Sequence, residues 1–229
     1  MKRVVVPELL DSDSGTPQEV AGSLADLRMF NRRFGGVGAM SALLAEVARE
    51  RRLEEVAWLD VAGGAGDVAT FTRERLARSG LRVQPVVLDR ALTHLNGANI
   101  NVCGDALALP FRDNSFDVVG STLFVHHLES DELVRFALEA LRVARHAFII
   151  NDLMRHPLHL ALAYAGFPLY RSRLTRHDAP ASVRRAYTIE EVRRILEQAG
   201  VTNLTVRTFY LFRMGVIAWK PREAATRTI

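Results

Sequence analysis

Cysteine is nearly absent from the chain, because Cys103 is the only one among 229 residues. A single cysteine excludes an internal disulfide framework and a zinc cluster built from cysteines. We expect Cys103 to be a small core residue without chemistry. The sequence also lacks the roughly 18 uninterrupted apolar residues of a membrane-spanning helix, and acids interrupt its N-terminal apolar stretch, which makes a poor signal peptide. These absences predict a cytoplasmic protein without a membrane span.

Lysine is also scarce, since Lys2 and Lys220 are the only two among 30 basic residues. The formal net charge of +4 therefore comes from arginine, which can contact phosphates through two hydrogen bonds. The arginines, however, alternate with glutamates at helical spacing, as in EVARERRLEE and EEVRRILEQ. This pattern is typical of solvated helix faces. We therefore do not expect nucleic acid as a partner.

Apolar, strand-like segments alternate along the chain with segments of helical periodicity. The strand-like segments include VAWLDVA, VQPVVLD, SFDVVGSTLF and HAFIIND, all rich in residues suited to burial on both faces of a sheet. Two closing strands, LTVRTFY and FRMGVIAWK, are so close in sequence that they permit a hairpin and exclude a parallel crossover. The pattern predicts an α/β fold with a doubly wound, Rossmann-like sheet of seven strands, mostly parallel with a C-terminal antiparallel hairpin.

The rest of the chain is predicted to form a leader, N-terminal helices and an insert. Residues 1–18, with their Ser, Asp, Gly and Pro, predict a flexible leader before a single domain over 19–229. Helical periodicity from Glu19 and a GGVG break predict two N-terminal helices within 19–52. The segment 153–187 is too long for a simple connector and predicts a helical cap over one rim of the sheet.

A glycine-rich segment, DVAGGAGD, follows the first predicted strand. In open α/β sheets ligands bind at the carboxyl ends of strands, and glycines there allow positive φ and close approach to the main chain. A phosphate-binding loop would need Lys and then Ser or Thr where Asp67 stands. The dinucleotide pattern G-x-G-x-x-G would need glycines in place of Ala62 and Asp67, and an acid at a helix start disfavours pyrophosphate. The segment predicts a ligand without phosphates.

Four segments in order resemble the motifs of class I S-adenosylmethionine-dependent methyltransferases: LDVAGGAGD, VVLDRA, GDALALPF and DNSFDVV. The likeness is strongest to the ubiquinone/menaquinone-biosynthesis (type 11) C-methyltransferases and covers roughly residues 27–152. MFNRRFGGVG more faintly resembles their N-terminal helix over the cofactor. The resemblance implies S-adenosylmethionine as cofactor, S-adenosylhomocysteine as product and no metal.

The resemblance also implies a set of cofactor-binding residues at the strand ends. The glycine loop would hold the methionine portion, Asp89 the ribose hydroxyls, and Asp105 with the Ala106 amide the adenine edge. Asp60 would be partly structural and near the methionine end. The implied set is Asp60, Ala62, Gly63, Gly64, Gly66, Asp89, Arg90, Asp105, Ala106 and Ser121.

The candidate catalytic residues are His126, His127 and Asp152. Methyl transfer needs an acceptor held in line with the methyl carbon and, for most acceptors, a base. The fourth strand ends at TLFVHHL, with His126-His127 where the quinone enzymes place Arg-Asn, which puts their acceptor in doubt here. An imidazole suits deprotonation of a phenol or an activated carbon acid, although a histidine here could instead only pack or bond the backbone. Asp152 could orient a histidine or cap a helix.

The cap insert is predicted to recognise the acceptor, although a solvent-facing pair of helices with core aromatics fits it equally well. Its candidate aromatic residues are Tyr164, Phe167 and Tyr170, and its candidate anion-binding residues are Arg155, Arg171 and Arg173. The predicted function is methyl transfer to a small molecule, at a phenolic, quinone-like or polyketide O or C atom. The alternatives are an RNA- or protein-directed methyltransferase and a non-catalytic adenosylmethionine-binding module, and the oligomeric state stays open between monomer and homodimer.

Overall fold

A computed structural model describes residues 1–12, 14–93, 95 and 99–221 of the protein. Its strands are β1 Glu55–Val61, β2 Arg82–Asp89, β3 Ile100–Cys103, β4 Phe116–Thr122, β5 Ala144–Leu153, β6 Leu204–Phe209 and β7 Arg213–Trp219. They form one sheet of seven strands in the order β3-β2-β1-β4-β5-β7-β6. Strands β1 to β5 run parallel, and β7 is antiparallel to both of its neighbours. The predicted α/β sheet with its C-terminal antiparallel hairpin is therefore confirmed.

Helices cover both faces of the sheet. They are α1 Pro17–Arg33, α2 Gly36–Arg51, α3 Asp67–Ala77, α4 Ser130–Val143, α5 Pro157–Ala165, α6 Arg173–Arg185 and α7 Ile189–Gln198. Short 3-10 turns occupy Leu10–Ser12, Val125–His127 and Phe167–Leu169. Among the described residues, no helix is both long and apolar enough to cross a membrane.

Two apolar cores explain why the central strands are apolar at consecutive positions. Along β1, Val56 and Trp58 pack into the core beneath α2 and α3. Leu59 and Val61 point the other way, into the core beneath α4 and α7. Side chains alternate across a strand, so burial on both faces requires apolar residues at odd-numbered and at even-numbered positions.

The first helix and the cap insert are joined through a buried carboxylate. Asp26 in α1 is fully buried, and its Oδ2 accepts hydrogen bonds from the Arg171 amide at 2.9 Å and the Thr175 hydroxyl at 2.8 Å. The Ser172 amide donates to the same oxygen at 3.3 Å, just before α6 begins. Three donors on one buried acceptor fix the cap against α1.

The N-terminal segment, which we define as residues 1–12, lies along α6 and the loop after β4. The Val4 amide donates to the Arg184 carbonyl at 3.1 Å, and the Leu9 and Leu10 amides donate to the carboxylate of Asp178 at 2.8 and 3.0 Å. The sequence predicted a flexible leader over residues 1–18, which include this segment. These contacts with Asp178 and Arg184 are with residues distant in the sequence, which local composition does not reveal.

Cys103 is exposed, so the prediction that it is a core residue is wrong. It ends β3, which is the edge strand of the sheet and is exposed at both ends. Its Sγ lies 3.6 Å from the Arg90 carbonyl, to which it donates. The apolar residues around Cys103 indicate a strand, but whether that strand is central or at the edge depends on the pairing order of the whole sheet.

Candidate functional site

The glycine loop between β1 and α3 reverses the chain at the carboxyl end of the sheet. Gly64 and Gly66 have φ of +53° and +71°, in the left-handed region that favours glycine. Ala62 adopts φ +55° in the same turn, although L residues rarely do. A Cβ added at Gly64 would meet nothing within 4 Å. The main chain at Gly64 is therefore open to a ligand.

Gly63 has a different role, because its surroundings leave no room for a side chain. A Cβ at this position would lie 2.9 Å from both Asp60 Oδ2 and Val87 Cγ1. The loop consequently packs directly over the end of β1 and the neighbouring strand β2. This close approach keeps the Asp60 carboxyl group under the loop.

The Asp60 carboxyl group is buried and has no hydrogen-bonding partner on either oxygen. Burial and the nearby charge of Asp89 raise the pKa of Asp60 to about 8. The hydroxyl of Ser121, on the adjacent strand β4, is also buried and without a hydrogen bond. Buried polar groups are rarely left unpaired in a protein unless a ligand or water completes them. Both residues fit a site for a polar, cationic ligand group.

Asp89 ends β2 and is held by main-chain amides of two different loops. The Gly64 amide donates to its Oδ2 and the Ala91 amide to its Oδ1, both at 2.9 Å. An ionised carboxylate has about four acceptor positions, so capacity remains for two hydroxyl donors. Arg90, the next residue, is exposed.

The segment after β3 adjoins the Asp89 loop. The Gly104 amide donates to the Asp89 carbonyl at 3.1 Å, which brings the two predicted subsites side by side. Asp105 is exposed and accepts a hydrogen bond from the Leu107 amide at 2.9 Å, while Ala106 is half-buried. The ten predicted cofactor residues thus lie on four strand ends or the loops that follow them, along one edge of the sheet.

The predicted catalytic residues form a cluster at the ends of β4 and β5. Asp152 Oδ1 lies 2.7 Å from His126 Nδ1, and its Oδ2 accepts the His126 amide at 3.2 Å. His127 Nδ1 lies 3.1 Å from Asp11 Oδ2. Glu8, from the N-terminal segment, has its Oε1 3.5 Å from His126 Nε2. Each imidazole is therefore flanked by carboxylates, and the N-terminal segment covers the cluster.

Electrostatics inside this cluster favour a proton on His126. Burial lowers the pKa of the His126 imidazole, but Asp152 and Glu8 outweigh burial and raise that pKa to about 10. Burial raises the pKa of Asp152, and the charge of His126 more than compensates, so it lies below its ordinary value. In this arrangement His126 suits holding a proton rather than abstracting one at neutral pH.

Two of the three arginines predicted to bind an anion have partners within the protein. Arg155 is buried against Glu191 and the Ala186 carbonyl, and Arg173 pairs with Glu19. The third borders a cavity of about 440 Å³, which is lined by Ala25, Arg28, Met29, Arg32, Arg33 and Arg171. The cavity adjoins the glycine-loop helix, because Arg28 contacts Asp67 at its first residue at 2.9 Å.

The aromatic residues of the cap do not line a single surface. Tyr170 is buried and donates its hydroxyl to the Ala163 carbonyl at 2.7 Å, as a core residue does. Tyr164 is 43% exposed, and Phe167 contacts both tyrosine rings. The residues that sequence reasoning missed are Glu8 and Asp11, whose PELLD context has no pattern that relates it to the distant histidines.

Comparison with known proteins agrees with this geometry. Residues 59–148 match the family model for a methyltransferase domain. A segment of 72 residues is 43% identical to the ubiquinone/menaquinone biosynthesis C-methyltransferase of Dinoroseobacter shibae. Residues 59–148 therefore carry a methyltransferase domain, and its motifs resemble those of the class I S-adenosylmethionine-dependent enzymes. The alignment with the Dinoroseobacter protein covers 26% of this chain and 27% of that relative, so the matched part of the relative is about a quarter of its length.

Solved structures share the fold of this methyltransferase domain across most of the chain. The plantazolicin methyltransferase BpumL, solved in complex with SAH, superposes with a TM-score of 0.70 at 13% identity, over 94% of this chain and 95% of its own. A SAM-dependent methyltransferase from Aquifex aeolicus gives a TM-score of 0.53 at 20% identity, over 76% and 88% of the two chains. These similarities show the fold alone and leave the acceptor open.

Proposed function

We propose that the protein transfers a methyl group from S-adenosylmethionine to a small-molecule acceptor, at a phenolic, quinone-like or polyketide hydroxyl or ring carbon. The observation that carries the proposal is the buried, unpaired carboxyl group of Asp60 beneath the glycine loop. S-Adenosylmethionine supplies an electrophilic methyl group on a sulfonium cation and carries an ammonium that Asp60 can pair with. No phosphate accompanies those charges, which agrees with a loop that lacks a phosphate-binding lysine.

Each predicted residue has a proposed role toward this ligand. The main chain of Gly64 and the carboxylate of Asp60 hold the methionine end, and the free acceptor positions of Asp89 receive the two ribose hydroxyls. Asp105 and the Ala106 amide bind the adenine edge. Positioning the acceptor against the methyl carbon supplies most of the rate enhancement, because it turns a reaction between two molecules into a reaction within one complex.

We further propose that the cluster of His126, His127 and Asp152 takes up the proton that the acceptor loses on methylation. The support is its location at the ends of β4 and β5, beside Ser121 and Asp60 along the same edge. His127 is the more accessible imidazole, with 21% of its side chain exposed against 3% for His126. Asp152 acts as a positioning residue by holding His126 Nδ1.

The arginine-lined cavity supports an acceptor that carries a negative charge. The cavity lies between α1 and the start of the cap, and the side chains of Arg33 and Arg171 in it make no contact with a carboxylate among the described residues. Guanidinium groups bind carboxylates and phosphates through two parallel hydrogen bonds. A phenolic acid is therefore a better candidate acceptor than its neutral ester.

The test is calorimetric titration followed by a search for transfer. We expect S-adenosylmethionine and S-adenosylhomocysteine to bind and to raise the melting temperature, whereas NADH does not. Purified protein would then be incubated with labelled S-adenosylmethionine and paired phenolic acids and methyl esters. Tight binding of NADH without binding of S-adenosylhomocysteine would refute the proposal.

The same experiment separates the rival functions. Binding without methyl loss across the panel would favour a non-catalytic adenosylmethionine-binding module. Transfer to RNA or to a protein lysate, with none to small molecules, would favour a macromolecular acceptor. The scattered arginine–glutamate pattern of the helices argues against nucleic acid.

A further inference from the structure

Two histidines and one glutamate converge on a common point at the rim of the sheet. One imidazole nitrogen of His126, one of His127 and one carboxylate oxygen of Glu8 all lie within 4.8 Å of one another. Glu8 Oε1 is 3.5 Å from His126 Nε2 and 3.9 Å from His127 Nε2. Ligands of a tetrahedral ion with bonds of about 2.0 Å are separated by roughly 3.3 Å. The three atoms therefore need only small movements to share one ion.

The orientation of both imidazoles is set by carboxylates on the opposite nitrogen. His126 Nδ1 contacts Asp152 at 2.7 Å and His127 Nδ1 contacts Asp11 at 3.1 Å. Metal-binding histidines have this second contact almost always, because it fixes the tautomer that leaves Nε2 free to bind the ion. The adjacent histidines of the 3-10 turn have ring centroids 4.1 Å apart with their planes tilted by 39°, and one nitrogen of each ring lies near the Glu8 carboxylate.

Glu8 contributes a buried carboxylate oxygen that has no hydrogen-bond donor in the cluster. Its side chain is only 9% exposed, and its Oε1 is buried without a hydrogen bond that satisfies normal geometry. The nearest imidazole nitrogen, His126 Nε2, is 3.5 Å from this oxygen, which is too long for a good hydrogen bond and makes the burial of the carboxylate costly. An ion between the three residues would displace the proton from His126 Nε2 and give this oxygen a partner.

We propose that Glu8, His126 and His127 bind a first-row divalent transition-metal ion, which fastens the N-terminal segment to the rim of the sheet. Two nitrogens and one carboxylate oxygen are a donor set that such ions accept, with a further position left for water or an acceptor oxygen. The proposal revises the expectation of a metal-free site, and it does not depend on the identity of the acceptor. An oxygen bound to the ion would lose its proton more readily, which would give the cluster its role at the acceptor.

Zn²⁺ and Co²⁺ are the probes for the test. Protein freed of metal with a chelator, which is then removed, would be titrated calorimetrically with Zn²⁺. We expect about one ion per chain and a visible absorption band when Co²⁺ replaces Zn²⁺. E8Q and H127A should each weaken Zn²⁺ binding at least tenfold. H177A is the matched control, because His177 also contacts a carboxylate, Asp178, at 2.8 Å but lies outside the cluster.

A second readout reports on the N-terminal segment directly. Zn²⁺ should slow amide hydrogen exchange in residues 1–12 of the unmodified protein at least tenfold and leave the exchange of E8Q unchanged. Circular dichroism of the metal-free variants checks that they fold, and either E8Q or H127A alone suffices to decide. Absence of Zn²⁺ binding, or equal binding by the unmodified protein and these variants, would overturn the proposal and leave ion pairing as the function of the cluster.

Discussion

The Gly64 amide donates a hydrogen bond of 2.9 Å to the Asp89 carboxylate, which joins the glycine loop after β1 to the acid that ends β2. The methionine and ribose subsites proposed for S-adenosylmethionine are therefore parts of one hydrogen-bonded unit. The same carboxylate also accepts the Ala91 amide at 2.9 Å, which prevents it from turning away from the loop.

We expect Asp89→Ala to weaken S-adenosylmethionine binding at least tenfold, equivalent to about 1.4 kcal/mol. The substitution removes charge-assisted hydrogen bonds to the ribose and also releases the Gly64 amide. Calorimetric titration measures the affinity. Asp131→Ala, at an exposed acid in the first turn of α4, is the control and should bind normally. Unchanged affinity of the Asp89 variant would remove the ribose assignment.

Asp60 predicts a pH-dependent stability with a defined sign. Its folded pKa is raised to about 8 from an ordinary value of 3.8, so the folded protein retains a proton that the unfolded chain has lost. Stability therefore falls as pH rises between those two values, by at most about 1.4 kcal/mol per pH unit. Asp60→Asn should remove this slope. Urea unfolding at about pH 5 and about pH 8 gives the free energy of unfolding of both proteins at each pH. An equal change between the two pH values in the unmodified protein and in the variant would refute the prediction.

The same carboxyl group predicts proton release when the cofactor binds. An ammonium placed beside Asp60 favours the ionised form, so about one proton should leave near neutral pH. Titrations in buffers of different ionisation enthalpy measure that number. Asp60→Asn should release none while still folding, and release by the variant equal to that of the unmodified protein would assign the proton to another group.

The sheet and the cofactor edge could be predicted from the sequence because their signals are local. Apolar runs of both parities mark strands buried on two faces, and the glycines after Asp60 mark a turn that must leave main chain exposed. The cluster at the rim could be predicted only in part. His126 and Asp152 follow adjacent strands, whereas Glu8 joins them through a segment with no periodicity of its own. The prediction that Cys103 is a core residue was wrong because the sequence of β3 does not show whether the strand is paired on both sides or lies at the edge of the sheet.

Gly63→Ala should weaken S-adenosylmethionine binding and reduce stability by about 1–3 kcal/mol. The added Cβ would be 2.9 Å from Asp60 Oδ2 and Val87 Cγ1, so the loop or the Asp60 carboxyl group must move. Gly80→Ala is the matched control, since Gly80 has φ +85° and open space around it, away from the strand ends. It should cost about 1–2 kcal/mol of conformational strain and leave affinity unchanged. Equal effects on affinity would contradict the role of Gly63.

Asp26→Ala should reduce the free energy of unfolding by about 2–4 kcal/mol, because three donors of the cap would lose one buried acceptor. Asp67→Ala is the comparison. Its partner Arg28 is 54% exposed, and exposed ion pairs contribute about 1 kcal/mol or less. Urea denaturation measures both variants. If Asp26→Ala lost no more unfolding free energy than Asp67→Ala, the cap would be held to α1 by apolar packing instead. The arginine-lined cavity between α1 and the cap would then keep its shape without the Asp26 carboxylate.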